Sequence, residues 1–302
     1  MIDTLWILLI GSLVGASCAL VGCFLILRRL AMLSDAISHA ALPGIVMAFL
    51  ISGGVGLVPA LLGAGVFGLL TVAATDLLER YGRVQSDAAI GVVFTVFFAL
   101  GVVMVSGLST RVHLDTEHVL FGEILYAPFN TWTVLGVEVP RAALSMGGLT
   151  ILNLAFVTLC YKQLKVCAFD PHLAASLGIS VVFWHYALMG AVSITAVASF
   201  ESVGVVIVVA MLIVPANTAY MLTDRLGTML VLAVLAGILS ALGGYALAAL
   251  LDGAIAGAMA TVSGVLFALA ALFSPRHGIV TRRMRRRALL LEPSDPNIRA
   301  TP

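Results

Sequence analysis

An aspartate and a histidine lie four residues apart in a segment that is otherwise as apolar as a membrane span. They are Asp35 and His39, within the stretch SDAISHAALPG. On a helix, residues at i and i+4 share one face, with Cβ atoms about 5–6 Å apart. A carboxylate oxygen and an imidazole nitrogen that close together can bind one cation, and these donors suit manganese, iron(II) or zinc better than calcium or potassium.

The position of this pair in the chain makes it costly. Residues 30–50 form an apolar run long enough to cross a bilayer, with His39 near its centre. A charged aspartate in such a helix costs about 2.5–3.5 kcal/mol on insertion scales. Pro43-Gly44 is expected to weaken the next turn and to free backbone carbonyls toward a cavity. These residues favour an ion transit site, but they leave open that Asp35 only accepts a hydrogen bond from His39 and stabilises the bundle.

The whole chain has the composition of an integral membrane protein. Of its 302 residues, 61% are hydrophobic and 10% are charged, and the net charge of +1 indicates neither a nucleic acid nor an acidic partner. The apolar runs are too long and uninterrupted for an outer-membrane barrel. The predicted fold class is all-α, a polytopic transmembrane helical bundle of about eight or nine helices. Candidate spans lie at 5–27, 30–50, 57–79, 88–107, 142–161, 180–200, 203–221, 228–250 and 254–273.

Two features of these runs define the topology. Only two residues join the runs 180–200 and 203–221, so one of these two is expected to be a half-helix or a kinked element. Fourteen of the sixteen lysines and arginines fall in alternate loops and in the tail. By the positive-inside rule this predicts an outer N-terminus and a cytoplasmic C-terminus. We expect a transmembrane domain over 1–275 and a basic cytoplasmic tail over 276–302, which sets the topology or touches anionic lipid.

Missing motifs exclude several activities. The chain has no G-x-x-x-x-G-K-[ST], and neither of its lysines, Lys162 and Lys165, follows a glycine, so it is not expected to hydrolyse ATP itself. It also lacks H-E-x-x-H and G-x-S-x-G. Its four cysteines show no CxxC spacing, which predicts packing residues.

Other polar residues are weaker site candidates. Glu201, between two apolar runs, is a gate ligand or an ordinary interfacial acid. His113, Asp115, Glu117 and His118 predict a solvated outer loop or a cation-attracting pore mouth. His185, between Trp184 and Tyr186, is typical of an interfacial aromatic belt. Asp76, Glu79 and Asp87 are expected to form surface pairs with nearby arginines or to contact a partner.

Four stretches of the chain resemble one transporter family. LRRLAMLSDAISHAALPGIVMAF strongly resembles the signature of the permease subunits of bacterial metal-ion ABC importers, which take up manganese, zinc and iron(II). The stretches HLDTEHVLFGEI, VCAFDPHLAASLGIS and SFESVGVVIVVAMLIVPANTAYMLTDRLG fit the same family in the same order. The last stretch is most similar to the manganese and iron branch. Asn217 departs from the small residue expected there, and it is either a further metal contact or a bond to a neighbouring helix.

The resemblance implies a homodimeric, multi-pass permease in the bacterial inner membrane. It implies two cytoplasmic ATPase subunits, an extracytoplasmic metal-binding protein, alternating access, and no cofactor besides the transported ion. Asp35 and His39 match the family's transit site. The family's coupling helix, which contacts the ATPase, corresponds to residues 170–178 within a segment of about 168–180, and its contact residues would be Asp170, Pro171, His172 and Gly178.

The residues of this segment agree with the resemblance. Asp170 and Pro171 are a typical N-cap and first residue of a helix, and Gly178 is a typical helix end. Two alternatives to an ATP-driven importer stay open. One is an ion-coupled secondary carrier, in which Asp35 would be a proton site. The other is an intramembrane metalloenzyme, in which a metal bound by Asp35 and His39 would activate water.

Overall fold

The computed structural model describes residues 2–52, 57–108, 124, 131–134, 137–274 and 278. These residues form long helices, three shorter helices and a two-stranded hairpin. The helices are α1 Ile2–Leu27, α2 Ala31–Ser52, α3 Leu57–Gly82, α4 Ser86–Leu108, α5 Arg141–Leu159, α6 Tyr161–Phe169, α7 Pro171–Ser176, α8 Val181–Val203, α9 Val205–Leu222, α10 Leu226–Leu251 and α11 Ile255–Phe273; the strands are β1 Thr131–Val134 and β2 Val137–Pro140.

The number of membrane spans agrees with the sequence. Within the described residues, eight helices are long and apolar enough to cross a bilayer, namely α1 to α5, α8, α10 and α11, while α9 is shorter. The expected half-helix is therefore α9, which follows α8 after a break at Gly204. That glycine has a φ of 83°, which a residue with a Cβ rarely adopts.

The core of the bundle is built around α1. This helix is the most buried span, and it packs against α5, α9 and α10. Small residues allow the close approach, since a Cβ at Gly15 would lie only 2.7 Å from the carbonyl oxygen of Gly237 on α10. Cys18 and Cys23 are buried as free thiols in this core, as expected of packing residues.

A second layer holds the polar pair. Helix α2 packs on α3 and α4, and α3 in turn packs on α8. The sequence did not predict the hairpin that precedes α5, in which β1 and β2 pair antiparallel with Trp132 opposite Val139. Short runs of β-branched and aromatic residues favour strands there. The guanidinium of Arg141 lies 5.0 Å from the centre of the Trp132 ring.

Candidate functional site

Asp35 and His39 form a loose, half-exposed pair on α2. Asp35 Oδ1 and His39 Nε2 are 3.5 Å apart, and 45% of the Asp35 side chain and 30% of the His39 side chain are exposed. That separation exceeds the roughly 2.7–3.2 Å of ordinary N–H···O hydrogen bonds. The carboxylate oxygen and the imidazole nitrogen are therefore close, but they do not form an ordinary hydrogen bond with each other.

The spacing of these two atoms fits a shared metal ion. With bond lengths of about 2.1 Å, as in protein zinc sites, donors 3.5 Å apart subtend an angle of about 110° at the metal. An ion can thus bind both atoms without a change of rotamer. Among the described residues, no group of three or more His, Cys, Asp and Glu side chains could hold a metal. The described residues of one chain therefore offer two such ligands here, and the other coordination positions stay open.

Helix α4 forms one wall of this site. The ring centroid of His39 lies 5.4 Å from that of Phe94 and 5.9 Å from that of Phe98, the latter edge to face. Phe94 and Phe98 are one turn apart, so both rings reach α2. These contacts hold the imidazole plane and leave its Nε2 beside Asp35. Neither phenylalanine was predicted as a site residue.

Pro43-Gly44 was predicted to weaken α2, but the helix is not interrupted there. The helix continues through Pro43 to Ser52, and Gly44 is buried against α3. A Cβ at Gly44 would lie 2.7 Å from the carbonyl carbon of Gly63. The glycine therefore serves helix packing, and only the carbonyl of His39 loses a helical partner, because residue 43 has no N–H.

Glu201 and Asn217 are not joined to the pair by the structure. Glu201 lies in the last turn of α8 before the break at Gly204, and its side chain falls outside the described residues. Asn217 is half-buried on α9, which packs more extensively on α1, α10 and α11 than on α2. The outer cluster 113–118 and the tail 279–302 also lie outside the described part of the chain. All of these stay predictions.

The predicted partner-contact helix is present as α7. Asp170 caps it, with Oδ1 accepting a hydrogen bond of 2.9 Å from the Leu173 N–H, and Pro171 is its first residue. Gly178, with φ of 76°, ends it, because Gly178 N–H donates to the Ala175 carbonyl and Ile179 N–H to the Ala174 carbonyl. This is a Schellman motif.

The surface around α7 combines apolar and charged groups. Phe169, Leu173 and Leu177 are each about half exposed or more. Beside them, α6 and the α9–α10 connection line an open cavity of about 430 Å³, and its charged lining residues are Lys165, Arg225 and Asp224. His172 is exposed on the same helix. The predicted contact residues thus share one surface with apolar side chains that the described part of the chain leaves exposed.

The basic loops that were predicted to be cytoplasmic lie at this end. Arg28 precedes α2 and lies near the Cys167 thiol of α6. Burial lowers the pKa of the Arg28 guanidinium, and the Cys167 thiolate would oppose that shift. Burial likewise raises the pKa of the Cys167 thiol, so this thiol stays neutral near pH 7, as a packing residue would.

A polar contact between α3 and α8 was not predicted as such. Tyr186 donates a hydrogen bond of 3.1 Å to Asp76 Oδ2, and His185 Nε2 lies 3.7 Å from the same oxygen. The sequence predicts an interfacial aromatic belt for His185, and surface pairs or a partner contact for Asp76, whereas in the structure the two side chains face each other between α3 and α8. A sequence shows which residues share a helix face, whereas it does not show which helix that face meets.

A buried hydrogen-bond network was also missed. The amide nitrogen of Asn153 on α5 donates two hydrogen bonds, one of 2.8 Å to Ser17 Oγ on α1 and one of 2.7 Å to Thr195 Oγ1 on α8. All three side chains are buried. Polar residues within three apolar runs were the available signal, and such residues commonly join helices inside membranes.

Long apolar helices around a half-exposed acid and imidazole, with a short capped helix at one end, define a membrane-spanning transport subunit. The comparisons with known proteins agree. The profile of the ABC 3 transport family matches residues 3–274, and the chain belongs to this family, whose members span bacterial membranes several times.

Named relatives cover nearly the whole chain. It is 52% identical over 281 residues to the manganese transport system membrane protein MntD of Bacillus subtilis, covering 93% of this chain and 95% of that protein. It is 46% identical over 289 residues to the zinc transport system membrane protein TroD of Treponema pallidum, covering 96% and 79%. The solved structure of PsaBC from Streptococcus pneumoniae in complex with Fab superposes with a TM-score of 0.79 at 28% identity, covering 95% of this chain and 96% of that one.

Proposed function

We propose that this permease imports divalent transition-metal ions, manganese first among them, with energy from ATP hydrolysed by partner subunits. The observation that carries the proposal is the pair on α2, in which a carboxylate and an imidazole lie 3.5 Å apart and stay half-exposed within a membrane span. A polar pair of this kind is too costly to face lipid. One oxygen and one nitrogen ligand suit manganese, iron(II) and zinc. The relatives named for manganese and zinc transport support the same cargo.

A second copy of the chain would complete the site. One protomer supplies two side-chain ligands, while transition metals in proteins commonly take four to six. A twofold axis beside α2 would bring two Asp35–His39 pairs face to face and cover them from lipid. A site formed this way opens when the protomers tilt, so the ion can enter from one side and leave to the other.

The surface around α7 supports an ATPase contact. Phe169, Leu173 and Leu177 project from a helix end bordered by Lys165 and Arg225. Exposed apolar side chains rimmed by charge are typical of protein interfaces. In this proposal, Asp170 and Gly178 hold α7 in its capped shape while His172 and the leucines meet the cytoplasmic ATPase. An extracytoplasmic metal-binding protein would deliver the ion to the opposite end.

Transport then proceeds by alternating access. An ion delivered from outside pauses between Asp35 and His39, which bind it through two donors in each protomer. Closure of the two ATPase subunits moves α7, the bundle tilts, and the ion is released toward the cytoplasm. Two ligands per protomer hold the ion firmly enough to select it and weakly enough to let it go.

Reconstitution tests this function directly. The permease and its ATPase, purified together, are placed in lipid vesicles, and uptake of radioactive manganese is followed with and without ATP. We expect uptake only with ATP and with the metal-binding protein present, and excess unlabelled manganese, zinc and iron(II) should compete in an order that ranks the cargo. Uptake driven by a proton gradient without ATP would instead support the secondary carrier. A lack of manganese, zinc and iron uptake under all conditions would refute the proposal.

A further inference from the structure

The geometry points to Asp76 as an exchangeable joint between α3 and α8. Its carboxylate accepts a hydrogen bond from Tyr186 in this conformation and from His185 after α8 has turned. This exchange carries the movement of α7 to Asp35 and His39, which we call the transit pair. This inference rests on the proposed function, because it assumes that α7 meets the ATPase. It assigns positioning roles to three residues that touch neither the ion nor the ATPase.

The first step concerns two donors on α8 that lie near one carboxylate oxygen of α3. Tyr186 Oη donates to Asp76 Oδ2 at 3.1 Å, and His185 Nε2 stops 3.7 Å from the same oxygen. The His185 Nε2 atom is buried, and among the described residues it has no hydrogen-bond partner. A shift of about 0.5 Å would bring it within bonding distance, in the tautomer or charge state that has a proton on Nε2. His185 and Tyr186 are adjacent on α8 and about 100° apart around its axis. A turn of α8 that brings Nε2 to Asp76 therefore draws the Tyr186 hydroxyl away, which gives the joint two arrangements, as a coupling element requires.

The second step joins the partner-contact helix to this joint. Only residues 177–180 separate α7 from α8. The Schellman motif at Gly178 holds the first half of that connection, and Ser180 Oγ caps α8 by accepting from the Phe183 N–H at 3.3 Å. His185 and Tyr186 lie in the first turns of α8. A movement of α7 therefore reaches the two donors through backbone that is hydrogen-bonded at both ends.

The third step joins α3 to the transit pair. Farther along α8, Ser193 Oγ donates to the Ala64 carbonyl of α3 at 3.2 Å. The neighbouring residue, Gly63, packs directly on Gly44 of α2, five residues after His39. Helix α3 is thus in contact with α8 and with α2 at the same level. Close-packed helices move as rigid bodies rather than deforming continuously. In this inference α8 pivots about the Ser193 contact, and α3 passes the movement to α2.

Three further charged groups lie near the joint. Arg28, Glu79 and Arg80 act on His185 besides Asp76, and two of them are basic and one is acidic. The described residues around the joint form no metal-binding group of three or more ligands, so a second metal site does not explain it.

The test compares coupling in matched variants of the complete complex in vesicles. Tyr186→Phe and His185→Phe each remove one of the two donors and keep an aromatic ring. We expect each to lower the number of manganese ions transported per ATP about fivefold, the usual effect of one hydrogen bond on an equilibrium, while ATP hydrolysis and assembly with the ATPase stay near wild type. His185→Gln, which keeps an N–H donor, should restore most of the ratio.

Tyr245→Phe is the matched control. The Tyr245 hydroxyl bonds the Thr4 hydroxyl at 3.4 Å between α10 and α1, away from α7. Its ratio should equal that of the wild type. The inference is overturned if Tyr186→Phe and His185→Phe keep the wild-type ratio, if Tyr245→Phe loses as much, or if the two variants fail to assemble. A wild-type complex without ATP-driven uptake would overturn the proposed function and this inference with it, whereas an active wild type with unaffected variants would overturn the joint alone.

Discussion

Two polar groups within the membrane-spanning helices of this protein differ in how their hydrogen-bonding capacity is used. Asn153, Ser17 and Thr195 join α5, α1 and α8 through bonds of 2.7–2.8 Å and are shielded from solvent. Asp35 and His39 lie on one helix, half-exposed and 3.5 Å apart. The first group satisfies its donors within the protein, which is the arrangement of a structural network. The second group leaves its carboxylate oxygen and imidazole nitrogen available to bind an ion, which is the arrangement of a ligand site.

The difference predicts opposite effects of mutation. Removing a residue from a satisfied buried network leaves its partners without bonds and lowers stability. Removing a half-exposed ligand leaves little unsatisfied inside the protein and affects only what binds there. Stability and uptake, measured on the same variants, therefore separate the two groups.

The largest effect is expected at the transit pair. Asp35→Asn and His39→Ala should each lower ATP-driven manganese uptake by about 100-fold or more, since even residues that only support metal ligands cost about 10–100-fold. Thermal unfolding of the purified complex should stay near wild type. Uptake is measured in vesicles at equal amounts of assembled complex. Wild-type uptake in both variants would show that the pair is structural and would remove the contrast.

The next effect is expected at the contact that positions α2. Gly44→Ala introduces a Cβ 2.7 Å from the Gly63 carbonyl carbon, and such overpacking costs about 1–3 kcal/mol. Helices α2 and α3 must separate, so uptake should fall about tenfold, matching roughly 1.4 kcal/mol. Gly91→Ala on α4 is the control, because a Cβ there meets nothing within 4 Å. Equal uptake by the two variants would mean that the α2–α3 contact does not position the site.

The buried network should show the reverse pattern. Asn153→Ala removes two interhelical hydrogen bonds and should lower the free energy of unfolding by about 1–3 kcal/mol, while uptake per folded complex changes less than about twofold. Unfolding is followed in detergent with increasing denaturant. Thr158→Ala on the same helix is the control, because the Thr158 hydroxyl bonds carbonyls of its own helix. A stable Asn153→Ala variant that lost uptake would place the network in the transport pathway.

The sequence predicted the elements of this fold better than their contacts. The break between 180–200 and 203–221 appears at Gly204, and the capped segment 170–178 appears as α7. These features follow from local chemistry, namely apolar length, an N-cap and a C-terminal glycine. The hairpin before α5 is also local, but its two four-residue strands are too short to give a clear alternation signal.

The contacts depend on how the helices are arranged, which a single sequence does not encode in any local pattern. Asp35 and His39 were found because both lie on one helix, where spacing defines their distance. Asn153 needs partners from α1 and α8, and Asp76 needs Tyr186 from a helix more than one hundred residues away. Pro43-Gly44 was read as a weak point of α2 because the glycine of α3 that packs against it could not be anticipated.

The smallest effect is expected at the aromatic wall of the transit pair. Phe98 meets His39 edge to face at 5.9 Å, and aromatic pairs contribute about 0.5–1.5 kcal/mol beyond the area they bury. Phe98→Leu keeps an apolar wall but releases the imidazole, so the manganese concentration for half-maximal uptake should rise about two- to tenfold while the maximal rate is kept. The control is Phe97→Leu, whose ring packs on Phe67 of α3 instead. If both variants raised that concentration equally, the wall would act through general packing, and the orientation of His39 would not be what makes the exposed pair a ligand site.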